Sequence, residues 1–135
     1  MSLTGLPVNL LTVANQTWES PIVEGPALMT NPTGGVFLFY SGNYWTTSSY
    51  ADGVANCDTP TGPCTRTYTT PLLASRDTMV GSGGGSPFEA NGSWYFAFHA
   101  WEWPKVGYTS DSTTNGQRSL RILPVTFPGG SPKIG

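Results

Sequence analysis

Charge is scarce in this 135-residue chain. Lysine and arginine number six, aspartate and glutamate eight, and the net charge is −2 with a single histidine. Disordered chains carry far more charge and few aromatics, so that class is excluded. No basic stripe is present, which excludes a nucleic-acid partner. No apolar run approaches the ~20 residues that a membrane helix needs, so no membrane partner is expected. Nowhere does the sequence hold a convincing 3.6-residue period, so helices are not expected. The opening "MSLTGLPVNLLTVA" lacks the charged start of a signal peptide, and Met1–Leu3 reads as an added leader.

Cysteine is equally sparse, with Cys57 and Cys64 in "NCDTPTGPC". Pro60, Gly62 and Pro63 form a turn-prone set between them, able to bring the thiols together. A disulfide closing so short a loop is worth about 2 kcal/mol and points to a secreted protein. The alternative is a pair of unrelated free thiols. Two cysteines without a nearby histidine are too few for a metal site.

What the chain has is aromatics, glycine and proline. Trp, Tyr and Phe make up 13 % of it, with 17 glycines and 12 prolines, a balance that favours an all-β fold. Strands are expected at "GVFLFYSG" (35–42), "SYADGVANC" (49–57), "SWYFAFHAW" (93–101), "SLRILPVTF" (119–127) and "VNLLTVA" (8–14). Asn91-Gly92 is a hairpin dipeptide leading into the third of these. "TTSSY" (46–50) and "TSDSTTNGQR" (109–118) read as loops.

The chain also nearly repeats itself. "EGPALMTNPTGGVFLFYSG" and "GGSPFEANGSWYFAFHAW" share a Gly/Pro turn, a short strand, a polar turn and an aromatic strand, the latter about 58 residues apart. Recurrence of such a unit predicts blades of a β-propeller. Residues 22–75 form one expected blade and 82–127 a second, with 6–18 as the last strand of a preceding blade, all within one partial propeller domain spanning 1–135. Two isolated blades leave apolar faces without a neighbour. Homo-oligomerisation, or a partner supplying the missing part of the ring, is therefore expected.

Glu24 stands out between Val23 and Gly25-Pro26, as a solvated edge residue or a carboxyl held for chemistry. The ordered series "VEGPALM", "FLFYSGNYWTTSSYADGVANC", "TPTGPC", "PLLAS", "VGSGGGS", "GSWYFAFHAW" and "RSLRI" resembles the C-terminal portion of glycoside hydrolase family 43. The resemblance covers roughly residues 7–127. It implies a five-bladed β-propeller and hydrolysis, with inversion, of arabinose- or xylose-containing polysaccharides such as arabinan and xylan. It also implies three carboxylates: an Asp base, a Glu acid and an Asp that tunes the acid. The acid's "VEGP" motif falls on Glu24, which the turn at Gly25-Pro26 would aim into the central funnel, where partial burial would keep its proton. Neither Asp of the family has a counterpart here, so the chain alone is expected to be inactive. A non-catalytic carbohydrate-binding module or structural remnant is the alternative.

Where the family often shows "GPGHGS", this chain has "GSGGGS" (81–86), with Gly84 in place of the histidine that helps hold a metal or a water network. No cofactor is expected, and the grounds for a central calcium are weakened. His99, flanked by Phe98 and Ala100, is either a funnel residue or a structural histidine bonded to backbone. Trp45 and Trp101 are candidates for stacking on sugar rings, or else core aromatics. Arg118, in a segment resembling the family's last-blade Arg motif, is a candidate for substrate hydroxyls, with Arg121 nearby. Glu19 is expected to be exposed and without a role, and Asp52 to be a loop or edge carboxylate.

Overall fold

The computed structural model describes residues 5–109 and 115–135. The leader expected at Met1–Leu3 and the centre of the expected 109–118 loop lie outside the described residues. Eight strands occur among those described: β1 (Val23–Thr30), β2 (Val36–Gly42), β3 (Ala51–Cys57), β4 (Cys64–Arg66), β5 (Met79–Ala90), β6 (Ser93–Glu102), β7 (Arg118–Thr126) and β8 (Lys133–Ile134). They form two four-stranded antiparallel sheets, each in chain order, β1 to β4 and β5 to β8. No helix of the described residues is long and apolar enough to cross a membrane.

Local chemistry explains the hairpins. Asn91 and Gly92 both take positive φ, 52° and 74°, which is the geometry whose twist matches the paired strands β5 and β6. In the β1–β2 turn, Asn31 is buried and its Oδ1 accepts from the amides of Gly35 (2.6 Å) and Thr33 (3.1 Å). Its Nδ2 donates to Gly130 O of the second sheet at 3.1 Å, so the turn also ties the two blades together.

The sheets meet through aromatic strands. Phe37, Phe39 and Val54 of the first face Phe96, Phe98, Ala100 and Val125 of the second, with the Phe39 and Phe96 rings 5.2 Å apart. Each fully buried phenylalanine stabilises the fold by about 1.5–3 kcal/mol, which makes this seam the main core. Leu38, Tyr40, Ala55 and Cys57 project from the opposite face of the first sheet onto Leu10, Leu11 and Trp18. Cys57 and Cys64 lie opposite each other on β3 and β4 and form the expected disulfide.

Three expectations need correction here. Residues 6–18 contain no strand. Leu10 and Leu11 of that segment pack on the back of β2 and β3, and side chains satisfy its backbone in place of a ladder: Arg66 Nη2 donates to Thr12 O (2.6 Å) and Ala14 N donates to Glu19 Oε1 (3.1 Å). The second sheet begins at Met79 and ends in a two-residue strand at Lys133–Ile134, beyond the expected boundary at 127. The turn at Pro128–Gly130 folds the chain back so that Val125 pairs with Ile134.

Glu19 is the third. It is 1 % exposed, and its Oε1 accepts from Arg66 Nε at 2.7 Å. Burial needs that partner, because a lone carboxylate in the interior is costly. The pair holds the 12–19 segment against β4, with Trp18 stacked on Tyr40 (6.0 Å) behind it. Glu19→Ala is expected to lower unfolding stability by about 3 kcal/mol, measured by urea denaturation, because it leaves Arg66 half-buried without its anion; a loss near zero would show the pair to be incidental.

Candidate functional site

At one end of the sheets, Glu24, Trp45, Tyr50, His99 and Arg118 line an open pocket. Glu24 comes from β1, Trp45 and Tyr50 from the β2–β3 connection, His99 from β6 and Arg118 from the start of β7. Glu24 pairs with Ser41, but the next pair is Ala27 with Phe39, so Gly25 and Pro26 form a bulge. Gly25 adopts φ 61°, open to glycine at little cost, and Pro26 has no N–H to lose from the ladder. The other flank of Glu24 borders an apolar groove lined by Leu10, Leu11, Val23, Leu38 and Tyr40. Glu24 is exposed, so the described residues do not supply the partial burial expected around it.

Tyr50 holds that carboxyl: its hydroxyl donates to Glu24 Oε1 at 2.7 Å. Burial pushes the Tyr50 hydroxyl well above its ordinary range, and the Glu24 carboxylate adds to the effect. It therefore stays a donor at any physiological pH. In the sequence Tyr50 is the last residue of the 46–50 stretch read as a loop, and only its position directly before β3, across from the Glu24 end of β1, distinguishes it.

Arg118 is built into the wall. Its Nη1 donates to Trp45 O (2.9 Å), its Nη2 to Gly81 O (2.7 Å) and His99 O (3.0 Å), and its Nε to His99 Nδ1. The guanidinium lies 4.8 Å from the Trp101 ring centre and 5.6 Å from that of Tyr50. Arg121, three residues on, points elsewhere and pairs with Glu102. His99 is thus neither isolated nor bonded through its ring to backbone. Burial, and the cation beside it, hold its pKa below the ordinary value. With Nδ1 accepting from Arg118, the neutral ring carries its proton on Nε2.

The two tryptophans separate. Trp45 is 41 % exposed at the pocket rim. Trp101 is 0 % exposed, stacked 6.4 Å from Trp45, and donates from Nε1 to Trp45 O at 3.0 Å. It supports the rim and has no surface to offer a sugar, which corrects its expected role. A tryptophan on a central strand, next to a sheet partner long enough to cover it, is buried by default.

Gly83, Gly84 and Gly85 lie on β5, and each lacks a side chain for a reason. A Cβ on Gly83 would lie 1.9 Å from the Tyr50 ring, on Gly84 2.4 Å from His99 Nε2, and on Gly85 2.0 Å from Phe96 and 2.9 Å from Asp52 Oδ2. Gly84 also has φ 65°. The bare backbone lets Tyr50 and His99 stack, 6.3 Å apart, across the blade boundary.

These residues do not fit a central calcium. Position 84 admits no side chain, His99 Nε2 presents a proton and not a lone pair, and Arg118 puts a cation beside it. No group of three or more His, Cys, Asp or Glu side chains converges among the described residues. No metal enters the chemistry below.

Asp52 is not an edge carboxylate. It is 1 % exposed on β3, paired with Ser41 of β2 on one side and bridged to Leu73 on the other, and sits in one row with Ser41 and Glu24. Ser41 Oγ donates to its Oδ1 at 2.7 Å, and Gly85 N points at the same oxygen from 3.4 Å. Oδ2 has no hydrogen-bond partner. Burial pushes the carboxyl up to about 7, against the Ser41 and Gly85 bonds and the field of Arg118, which pull it down.

Two four-stranded antiparallel sheets with Glu24, Arg118 and the exposed Trp45 gathered at one end are an arrangement this chain shares with a known family. The profile of Glycosyl hydrolases family 43 matches residues 2–132, and the chain belongs to that family. Among solved structures it is similar to an endo-1,4-beta-xylanase from Bacteroides thetaiotaomicron, at 32 % identity and TM-score 0.70 over 90 % of this chain and 41 % of that one. It is also similar to a thermostable family-43 glycoside hydrolase, at 25 % identity and TM-score 0.80 over 98 % of this chain and 43 % of that one. An alpha-L-arabinofuranosidase from Lactobacillus brevis, 24 % identical with TM-score 0.76 over 98 % and 43 %, shares the fold. No curated protein matches. The two sheets are blades of the family's five-bladed β-propeller, and the chain spans about two fifths of the length of these relatives.

Two outcomes follow from this geometry. Gly83→Ala and Gly84→Ala are each expected to lower stability by about 2 kcal/mol, from overpacking against Tyr50 and from a strained positive φ against His99; thermal melts of both variants check this. Asp52 is protonated in the fold up to about pH 7 but ionises near its ordinary 3.8 when unfolded. Its contribution to stability is therefore full below pH 3.8 and is lost as pH rises to about 7. The stability difference between the native chain and Asp52→Asn should fall with pH across that window and be level above it.

Proposed function

We propose that this chain carries the proton-donor side of a glycosidase site that hydrolyses arabinose- or xylose-containing polysaccharides with inversion. The observation that carries the reading is Glu24, held by Tyr50 at the mouth of a pocket walled by Arg118, His99 and Trp45. In this reading Glu24 protonates the leaving glycosidic oxygen. Trp45 offers a rigid aromatic face to the sugar ring. Arg118, with four of its five N–H groups engaged, keeps one for a substrate hydroxyl. His99 presents Nε2–H to a sugar oxygen.

Inversion also needs a base about 6.5–9.5 Å from the acid, with a water between. Glu24 is the one carboxylate in the described pocket lining. In this reading the base is supplied from outside this chain, and the chain alone is inactive. That same single carboxylate favours a second reading, a carbohydrate-binding remnant without catalysis.

Two further proposals accompany this one. Leu120 (78 % exposed), Ile122 (56 %) and Phe88 lie bare on the second sheet, and we expect them to be covered by a second copy or by further propeller blades. Sedimentation should show self-association at micromolar concentration; a stable monomer would contradict it. The disulfide supports a secreted location.

Titration with xylo- and arabino-oligosaccharides tests the site. Binding is expected, weakened tenfold or more in Trp45→Ala and retained in Glu24→Gln, with no sugar released from aryl arabinofuranosides or xylosides. Release by the chain alone that disappears in Glu24→Gln would remove the need for an outside base. Absence of binding to either series would overturn the site. In a full-length protein carrying this chain, Glu24→Gln should abolish polysaccharide turnover; retained turnover would leave the non-catalytic reading.

A further inference from the structure

Asp52 is buried, unused by the chemistry above, and connected to it. Ser41 is the hub. Its Oγ donates to Asp52 Oδ1 (2.7 Å) and accepts from Gly84 N (2.8 Å), and it is close enough to the Tyr50 hydroxyl to oppose the rise in pKa that burial gives that group. Tyr50 in turn donates to Glu24 Oε1 at 2.7 Å. Two neighbouring hydroxyls, each bonded to one of the two, thus stand between the buried Asp52 carboxyl and the Glu24 carboxyl at the pocket.

A serine hydroxyl has one proton to give and two lone pairs to share. With Asp52 ionised, Ser41 must give its proton to Oδ1, and Tyr50 receives none from it. With Asp52 protonated, the carboxyl donates to Ser41 Oγ, and Ser41 is free to donate to the Tyr50 oxygen. A hydroxyl that accepts a hydrogen bond becomes a stronger donor, because linked bonds polarise one another.

We propose that Asp52 is a positioning residue for Glu24: its proton sets the direction of the Ser41 hydroxyl, and through it the strength of the Tyr50 bond that holds Glu24. The inference deepens the reading of Glu24 as the acid and rests on it for its functional meaning, but the relay itself does not depend on catalysis. Two charged or titratable groups act on Asp52, Tyr50 at the head of β3 and Arg118 from β7, while Glu24 from β1 and His99 from β6 line the same pocket. From β2 and β5 come only the Ser41 hydroxyl and the amides of Gly84 and Gly85. Arg118 favours the anion, and burial with an unpaired Oδ2 opposes it.

Carbon-13 NMR of the side-chain carboxyls of Asp and Glu, with Tyr ring signals, reads the relay without any substrate. In the native chain between pH 4 and 9, Asp52 should titrate near pH 7, and the Glu24 carboxyl and Tyr50 ring should show an inflection at the same pH. In Ser41→Ala, Asp52 should still titrate above the ordinary aspartate range while the inflection at Glu24 and Tyr50 disappears. Asp52→Asn should remove it as well. Asp52 titrating near 4, or Glu24 and Tyr50 unmoved at the Asp52 midpoint in the native chain, overturns the proposal. So does an inflection that persists in Ser41→Ala. The native-chain measurement decides the matter even if a variant fails to fold. Sugar binding or turnover, measured separately, decides the glycosidase reading.

Discussion

The close approach of side chains to the glycine backbone of β5 governs this molecule. Two twisted sheets pack well through their aromatic faces, but at the pocket end they also have to bring Tyr50 of the first blade and His99 of the second over the same stretch of chain. That is feasible only where the backbone has no Cβ. Gly83, Gly84 and Gly85 leave room for Tyr50, His99 and the Phe96–Asp52 contact in turn. The "GSGGGS" stretch is thus a saddle for neighbouring rings. It also removes the position from which a family histidine would reach the centre.

Scarcity of charge makes each buried charge informative. Glu19 and Arg66 neutralise each other and fasten the segment before β1. Arg118 is desolvated, yet three carbonyl oxygens, an imidazole nitrogen and two aromatic faces surround it, so its cation is held in one orientation. Asp52 differs from both: it has donors on one oxygen and none on the other. A buried carboxyl in that state resolves its cost by keeping a proton. The fold therefore contains, near the exposed Glu24, a buried carboxyl whose pKa burial raises to about 7.

Much of the architecture was legible because it depends on local chemistry. Aromatic, β-branched strands bounded by glycine, the Asn91-Gly92 turn and the near-repeat all marked two blades, and the short Cys57–Cys64 spacing marked the disulfide. Residues 8–14 misled because an apolar run reads the same whether it pairs in a ladder or packs as coil against a sheet. Trp101 misled because a strand aromatic gives no sign of whether its outer side is covered. Asp52 carried a legible clue, a charge in the middle of the apolar "YADGVA" strand, but its environment is set by Ser41 and Gly85, 11 and 33 residues away.

By itself the sequence determined the all-β class, the two-blade repeat, the family and the position of Glu24, since composition, turn dipeptides and short ordered motifs are properties of neighbouring residues. Only the tertiary structure decided that Tyr50 grips Glu24, that Arg118 and not Arg121 lines the pocket, that Trp45 is outside and Trp101 inside, and that Glu19 and Asp52 are buried. Those outcomes depend on the register between strands and the packing between sheets. They arise from contacts between residues far apart in the chain, where burial and hydrogen-bond partners are supplied by whatever the fold brings alongside.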